Sequence, residues 1–210
     1  MKSSPKILKI DKRTNKVSFK NGVWKGGKLF KLNEKYYTQS TAMTSPTKIS
    51  MGLFDKDGYI LEKTESKVVQ GYTQDNKMVY INLLTSLENP EIFVDDKFYT
   101  KSHSSVFVNK NDLYYFKQKG ESRVLYKNKT QLFAFKGHYG FVVDVSSNNI
   151  YFIAPSKHGS SLYVYKNGKV TRVLKGDDII ECKLLPNNKA LITTIDATGY
   201  KYRIIKLNNT

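Results

Sequence analysis

The chain has 210 residues, 40% of them apolar and 13% aromatic, with a formal net charge of +17. So many aromatics exclude a disordered chain, and a lone cysteine, Cys182, excludes a disulfide framework and a thiolate metal site. No apolar run approaches the ~18 residues of a membrane helix; the N-terminal MKSSPKILKIDKRTNK lacks the apolar stretch of a signal peptide, and the cytoplasm is the favoured setting.

In chain order, KILKID (Lys6–Asp11) and KVSFK (Lys16–Lys20) read as two strands, followed by an Asn21-Gly22 turn. Between Val23 and Glu65 come KLFKL, KYYTQ, KISMGLF and YILEKT, short apolar runs broken by turn residues, which is the strand signal. Asp57-Gly58 marks a further hairpin. LLTSLENPEI (Leu83–Ile92) contains Pro90 and reads as a long inter-strand loop with one helical turn. No stretch sustains a helical period.

From Val106 the chain repeats itself. VFVNKNDLYYFKQKGESRVLYKNKTQLFAFKG (Val106–Gly137) and VDVSSNNIYFIAPSKHGSSLYVYKNGKVTRVLKG (Val143–Gly176) share one order of turns and strands, and a third copy follows in LPNNKALITTIDATGYKYRIIKL. Asn148-Asn149 and Asn187-Asn188 hold equivalent turns; Asn111-Asp112 and Asp75-Asn76 hold that place in earlier repeats. A strand-only period of about 35–40 residues predicts a stack of small antiparallel sheets. The units fall at 67–104, 105–140, 141–179 and 180–210, the last lacking a strand. The expected fold is all-β: one propeller domain over 1–210, of about five short four-stranded blades, closed by an N-terminal strand. Leu113, Tyr115, Ile150, Phe152, Leu162, Val164 and Leu191 alternate along the inner strands and are expected in the core.

NNIYFIAPSKHGSSLYVYKNGKVTRVL resembles the short blades of bacterial β-propellers, including TolB-like and prolyl-peptidase-type propellers, and the likeness extends over about residues 67–207. It implies a fold and no function. FKGHYGFV (Phe135–Val142) is similar to the Gly-His element of WD-repeat propellers, but no Trp-Asp follows and no other repeat carries it.

Motifs for chemistry are scarce. His103, His138 and His158 have no partner at ligand spacing and read as surface turn residues, so no metal site is expected. No Gly-x-Ser-x-Gly is present, and KHGSSLY (Lys157–Tyr163) reads as a hairpin turn. VWKGGKLF lacks the helix that follows a phosphate loop. Asp55-Lys56-Asp57-Gly58 lacks the distal ligands of a calcium loop. Asp95-Asp96 and Asp177-Asp178 are acidic pairs at turns or strand ends. No catalytic residue and no cofactor is expected.

The charge invites a polyanion partner, yet only four of the 35 basic residues are arginines (Arg13, Arg123, Arg172, Arg203), and the lysines are dispersed. Phe19, Trp24, Tyr36 and Tyr37, set among lysines, are the candidate contacts for a partner or for stacked bases; packing in the core is the competing role. The expected function is a non-enzymatic protein-binding scaffold or structural component with a macromolecular protein partner. A phage or virion assembly would suit it. The alternative is a lysine-borne nucleic-acid or polyanion binder.

Overall fold

The computed structural model describes residues 6–10, 17–21, 29–32, 35–45, 48–55, 60–65, 67–82, 90–146, 148–157, 159–175, 178–197 and 199–207, with side-chain detail from Lys67 onward. All regular structure among them is β, as the short apolar runs predict. The chain divides into two compact units, Met1–Lys101 and Ser102–Thr210.

The first unit opens with the hairpin β1 (Lys6–Ile10) and β2 (Val17–Asn21). A four-stranded sheet follows: β3 (Leu29–Leu32), β4 (Lys35–Ser45), β5 (Lys48–Asp55) and β6 (Ile60–Glu65). The next sheet holds β7 (Lys67–Tyr72), β8 (Met78–Asn82), β9 (Glu91–Val94) and β10 (Lys97–Lys101). Of the loop expected over Leu83–Ile92, residues 83–89 lie outside the described residues, and the end already belongs to β9. Asp95-Asp96 forms the two-residue turn between β9 and β10. Both residues take positive φ (51° and 60°), the geometry that lets a tight turn follow the twist of its strands. The Asp96 carboxylate accepts from Lys67 Nζ at 2.6 Å and Tyr80 Oη at 2.9 Å, so this pair serves a hairpin rather than acid–base chemistry.

The second unit contains the clear repeats. One sheet is β11 (Phe107–Asn109), β12 (Asp112–Lys119), β13 (Ser122–Lys127) and β14 (Thr130–Lys136). The next is β15 (Phe141–Ser146), β16 (Asn149–Ser156), β17 (Gly159–Lys166) and β18 (Lys169–Lys175). The last has three strands, β19 (Ile179–Leu185), β20 (Lys189–Asp196) and β21 (Gly199–Lys206). Every sheet joins consecutive strands by antiparallel pairing. Asn167-Gly168, both at positive φ (48° and 82°), make the β17–β18 turn as their sequence predicts.

The inner strands β12 and β16 are buried over runs of four and five consecutive residues. Their sequences LYYF and IYFIA are therefore continuous rather than alternating, as strands covered on both faces require. All seven predicted core residues are buried, from Leu162 at 0% to Leu191 at 5% exposure. Between the sheets β11–β14 and β15–β18, Phe116, Phe133, Phe135, Phe152, Tyr163 and Tyr165 form a continuous aromatic layer. Phe152 lies 5.2 Å from Phe133, 5.5 Å from Tyr163 and 5.7 Å from Phe116, centroid to centroid. The glycines of FKGHYGFV serve this layer. A Cβ at Gly140 would stand 3.0 Å from the Phe135 ring, and one at Gly137 would stand 3.2 Å from Phe135 and Pro155. Close approach to an aromatic edge accounts for these glycines without a WD-type role.

The expected closure by an N-terminal strand is not seen among the described residues. β1 pairs with β2, Lys6 opposite Asn21 through Ile10 opposite Val17, and the last sheet keeps three strands among the described residues. A strand close in sequence completes the N-terminal ladder at far lower loop-closure entropy than a partner near residue 200.

Candidate binding site

The two Asn-Asn turns meet at one end of the layer between β15–β18 and β19–β21. Along β16, Tyr151 and Ile153 enter the core shared by these sheets, and along β20 Ala190 and Ile192 do the same. Strand alternation carries this inner row back to Asn149 on one sheet and Asn188 on the other. Asn148, Asn187 and Asn188 take positive φ (67°, 62° and 53°), which asparagine tolerates better than most residues. Where the row turns from apolar to polar the layer opens into a cavity of about 190 Å³. It is lined by Ser146, Asn149, Tyr151, Leu184, Leu185, Asn188, Lys189 and Leu207.

The preceding repeat carries a different residue at this turn. Asp112, in the place of Asn149, accepts from Asn128 Nδ2 at 2.7 Å and pairs with Lys127 Nζ at 2.9 Å. Asn128 also accepts from Leu113 N through Oδ1 at 2.9 Å. Burial works to raise the Asp112 pKa, but Lys127 and Asn128 outweigh it and hold the carboxyl below its usual value. Asn149 has no such lock: its Oδ1 is shut off from solvent and has no hydrogen-bond partner. A buried acceptor left unpaired costs about 1–3 kcal/mol.

A second polar cluster lies in β12 and β13. Arg123 is 8% exposed, and its Nε donates to His138 O at 2.9 Å with Nη2 donating to the same carbonyl. Nη1 is buried without a partner. Among the described residues no acid partner faces this guanidinium; burial pushes its pKa down. Beside it, Ser102–Ser104 takes over the ladder where the three-residue β11 stops. His103 N and Ser102 Oγ donate to Phe116 O, Phe116 N donates to Ser104 Oγ, and Gln118 N donates to His103 Nδ1 at 3.1 Å. His103, expected as a surface turn residue, is therefore half-buried and structural. Burial, then the positive charges of Arg123 and Lys117, lower its pKa below 6.5. The unfolded chain then binds the proton more readily than the folded one. Stability should fall as pH drops through about 6.5 toward the lowered value. Urea unfolding between about pH 7.5 and 5 should show this slope, and His103→Gln should flatten it; an unchanged slope would mean His103 does not carry it.

Asp144 ties two sheets together. Its Oδ1 accepts from Val145 N at 2.8 Å and its Oδ2 from Leu184 N at 3.1 Å. Burial raises its pKa, with these N–H bonds acting in opposition. Cys182 is a core residue as expected, 3% exposed, its thiol pushed up to about 12 by burial and so held neutral.

Of the residues expected to meet a partner, three fall within described strands. Phe19 pairs opposite Leu8 in the β1–β2 hairpin, Tyr36 opposite Lys31 and Tyr37 opposite Phe30 in β3–β4. Trp24, His158, Asp177 and residues 56–58 of the Asp55–Gly58 turn lie outside the described residues. His138 is exposed. Ser160 Oγ, from KHGSSLY, donates to Ile179 O at 2.8 Å and is buried. Among the described residues no cluster of His, Cys, Asp and Glu could hold a metal ion, and no helix is long and apolar enough to cross a membrane. Asn149 and Arg123 escaped the sequence reading. The signal for both was a polar residue falling on the inner row of an otherwise apolar strand.

Stacked four-stranded meanders of this kind define the β-propeller class, and solved structures agree. The β-propeller domain of the Trilobed protease from Pyrococcus furiosus, which has an open velcro topology, is 13% identical, with a TM-score of 0.50 over 84% of this chain and 81% of its own. Two structures of the Pyrococcus horikoshii acylaminoacyl peptidase are each 12% identical with TM-scores of 0.53. They match 99% and 98% of this chain, while this chain covers 42% of theirs. No family model and no curated protein matches. The resemblance to prolyl-peptidase-type propellers is thus upheld at the level of fold. The expected function is corrected: the neighbours are propellers of peptidases, not scaffold or virion components. The chain matches only part of the acylaminoacyl peptidases' length.

Proposed function

We infer that this chain is a peptidase-associated propeller, a domain that receives peptides and presents them to a hydrolytic unit. The observation that supports this most is the match of 98–99% of the chain to two-fifths of a peptidase (42%). Propellers offer a rigid frame with variable turns, a form suited to selecting what reaches a neighbouring site. In this reading the chain is one propeller domain, and its five sheets of three or four strands are five blades, the last one strand short.

The experiment is a titration of the protein with fluorescein-labelled, N-acetylated peptides of about six to twelve residues, read by fluorescence anisotropy. Saturable binding at roughly millimolar strength or tighter, with the peptides recovered intact, is the expected result. Absence of saturation with every peptide overturns the reading.

A further inference from the structure

We propose that the outer edge of β21 docks an extended acidic segment of another protein, which adds to the last sheet as an antiparallel fourth strand. This goes beyond the peptide-handling reading and does not depend on it.

The backbone of β21 is set for such pairing. Ile195 N donates to Asp178 O, toward β19, and Leu207 N donates to Asn188 O, toward β20. The β20–β21 register runs without a shift, so the alternation of an antiparallel ladder fixes the rest. Lys201, Arg203 and Ile205 turn their amides to β20, while Tyr200, Tyr202, Ile204 and Lys206 turn theirs outward. Among the described residues no hydrogen bond engages the outward groups of Tyr200, Ile204 and Lys206. Exposure sets this strand apart from its counterparts. The third strands of the two preceding sheets, β13 and β17, are mostly buried, whereas β21 is exposed over four consecutive residues, as the fourth strand β18 is.

Charge selects the occupant. Lys201, Arg203 and Lys206 make β21 cationic with no acidic residue, and Lys206 stands opposite Lys189. No ion pair joins Lys189, Arg203 or Lys206 to another described residue. Two copies of this edge would set cations against cations, and lysines on an open edge are a known guard against self-pairing. A strand carrying Asp or Glu meets the opposite situation.

The two faces specify the pattern. Arg203 and Ile205 lie on the side of Ile192 and Ala190, with Lys201 in the same row. On the other side Tyr200 is 63% exposed, with Ile195 and Tyr202 exposed next to it. An incoming strand therefore sets apolar side chains beside the tyrosines and acidic ones beside Lys201 and Arg203. That is a period-two alternation, the mode by which extended peptides add to a sheet edge.

The probe is a fluorescein-labelled octapeptide alternating Glu and Val, titrated by anisotropy. Two further versions carry N-methyl groups on the Val amides or on the Glu amides, at unchanged charge. In antiparallel pairing the residues opposite Tyr200 and Tyr202 donate to β21, and these are the valines. Methylating the Val amides should abolish binding, and methylating the Glu amides should leave it. With peptide at about ten times its Kd, amide exchange at Tyr200, Ile204 and Lys206 should slow about tenfold. Arg203→Gln combined with Lys206→Gln should weaken the peptide about fivefold, with circular dichroism showing the fold intact. Any other order among the three peptides overturns the proposal, whether or not the variant folds. So do equal binding of a Lys-Val octapeptide, binding without slowed exchange at those amides, and an affinity that the folded variant leaves unchanged. Slowed exchange that appears with rising protein concentration alone assigns the edge to a second copy and also overturns it.

Discussion

Phe152→Ala should remove about 3–5 kcal/mol of unfolding free energy, the range for emptying a fully buried aromatic site. Phe152 is 1% exposed and touches the rings of Phe116, Phe133, Phe135 and Tyr163. Its loss opens a void between two sheets at once, and aromatic pairing adds to the area term. Neighbouring rings on rigid strands cannot collapse into the space. Chemical denaturation of the variant beside Phe98→Ala measures the effect. Phe98 is 56% exposed, and truncating it should cost far less. Similar losses for the two would refute the aromatic layer as the main packing contact.

Arg123→Ala should cost about 2–3 kcal/mol, because it strips His138 O of a charged donor and removes packed methylenes. Arg123→Met should recover most of that loss. Methionine refills the volume, and the buried guanidinium, lacking an acid partner among the described residues and leaving Nη1 unpaired, no longer has to be desolvated. Equilibrium unfolding of both variants separates packing from charge. If Met is as damaging as Ala, the guanidinium itself holds the Gly137–Gly140 segment in place.

Much of the fold was legible because turns and strands here obey local rules. Asn167-Gly168 states its turn type outright, and LYYF and IYFIA announce strands buried on both faces. The pairing of β1 was not legible. KILKI suits an edge in either of two ladders, and only the balance of loop entropy against a distant partner chooses between them. The cavity was half legible. Asn148-Asn149 and Asn187-Asn188 were recognised as equivalent turns, but their convergence on one inter-sheet corner depends on how two sheets stack. No residue pattern within either repeat encodes that distance. His103 was misjudged for a related reason: whether an isolated histidine replaces a ladder bond depends on β11 stopping after three residues.

Each sheet joins only strands that follow one another in the chain. The hydrogen-bonded ladders are therefore contacts between near neighbours, with packing between sheets as the longer-range term. Such topologies carry low contact order for a β protein and fold quickly relative to sandwiches of the same size. Stability then divides approximately into terms for single sheets and terms for adjacent interfaces. Loss of one interface would loosen the sheets beside it while leaving distant ladders formed. Evolution can accordingly rewrite the corner of one repeat, exchanging the Asp112 lock for Asn149, without refolding the others.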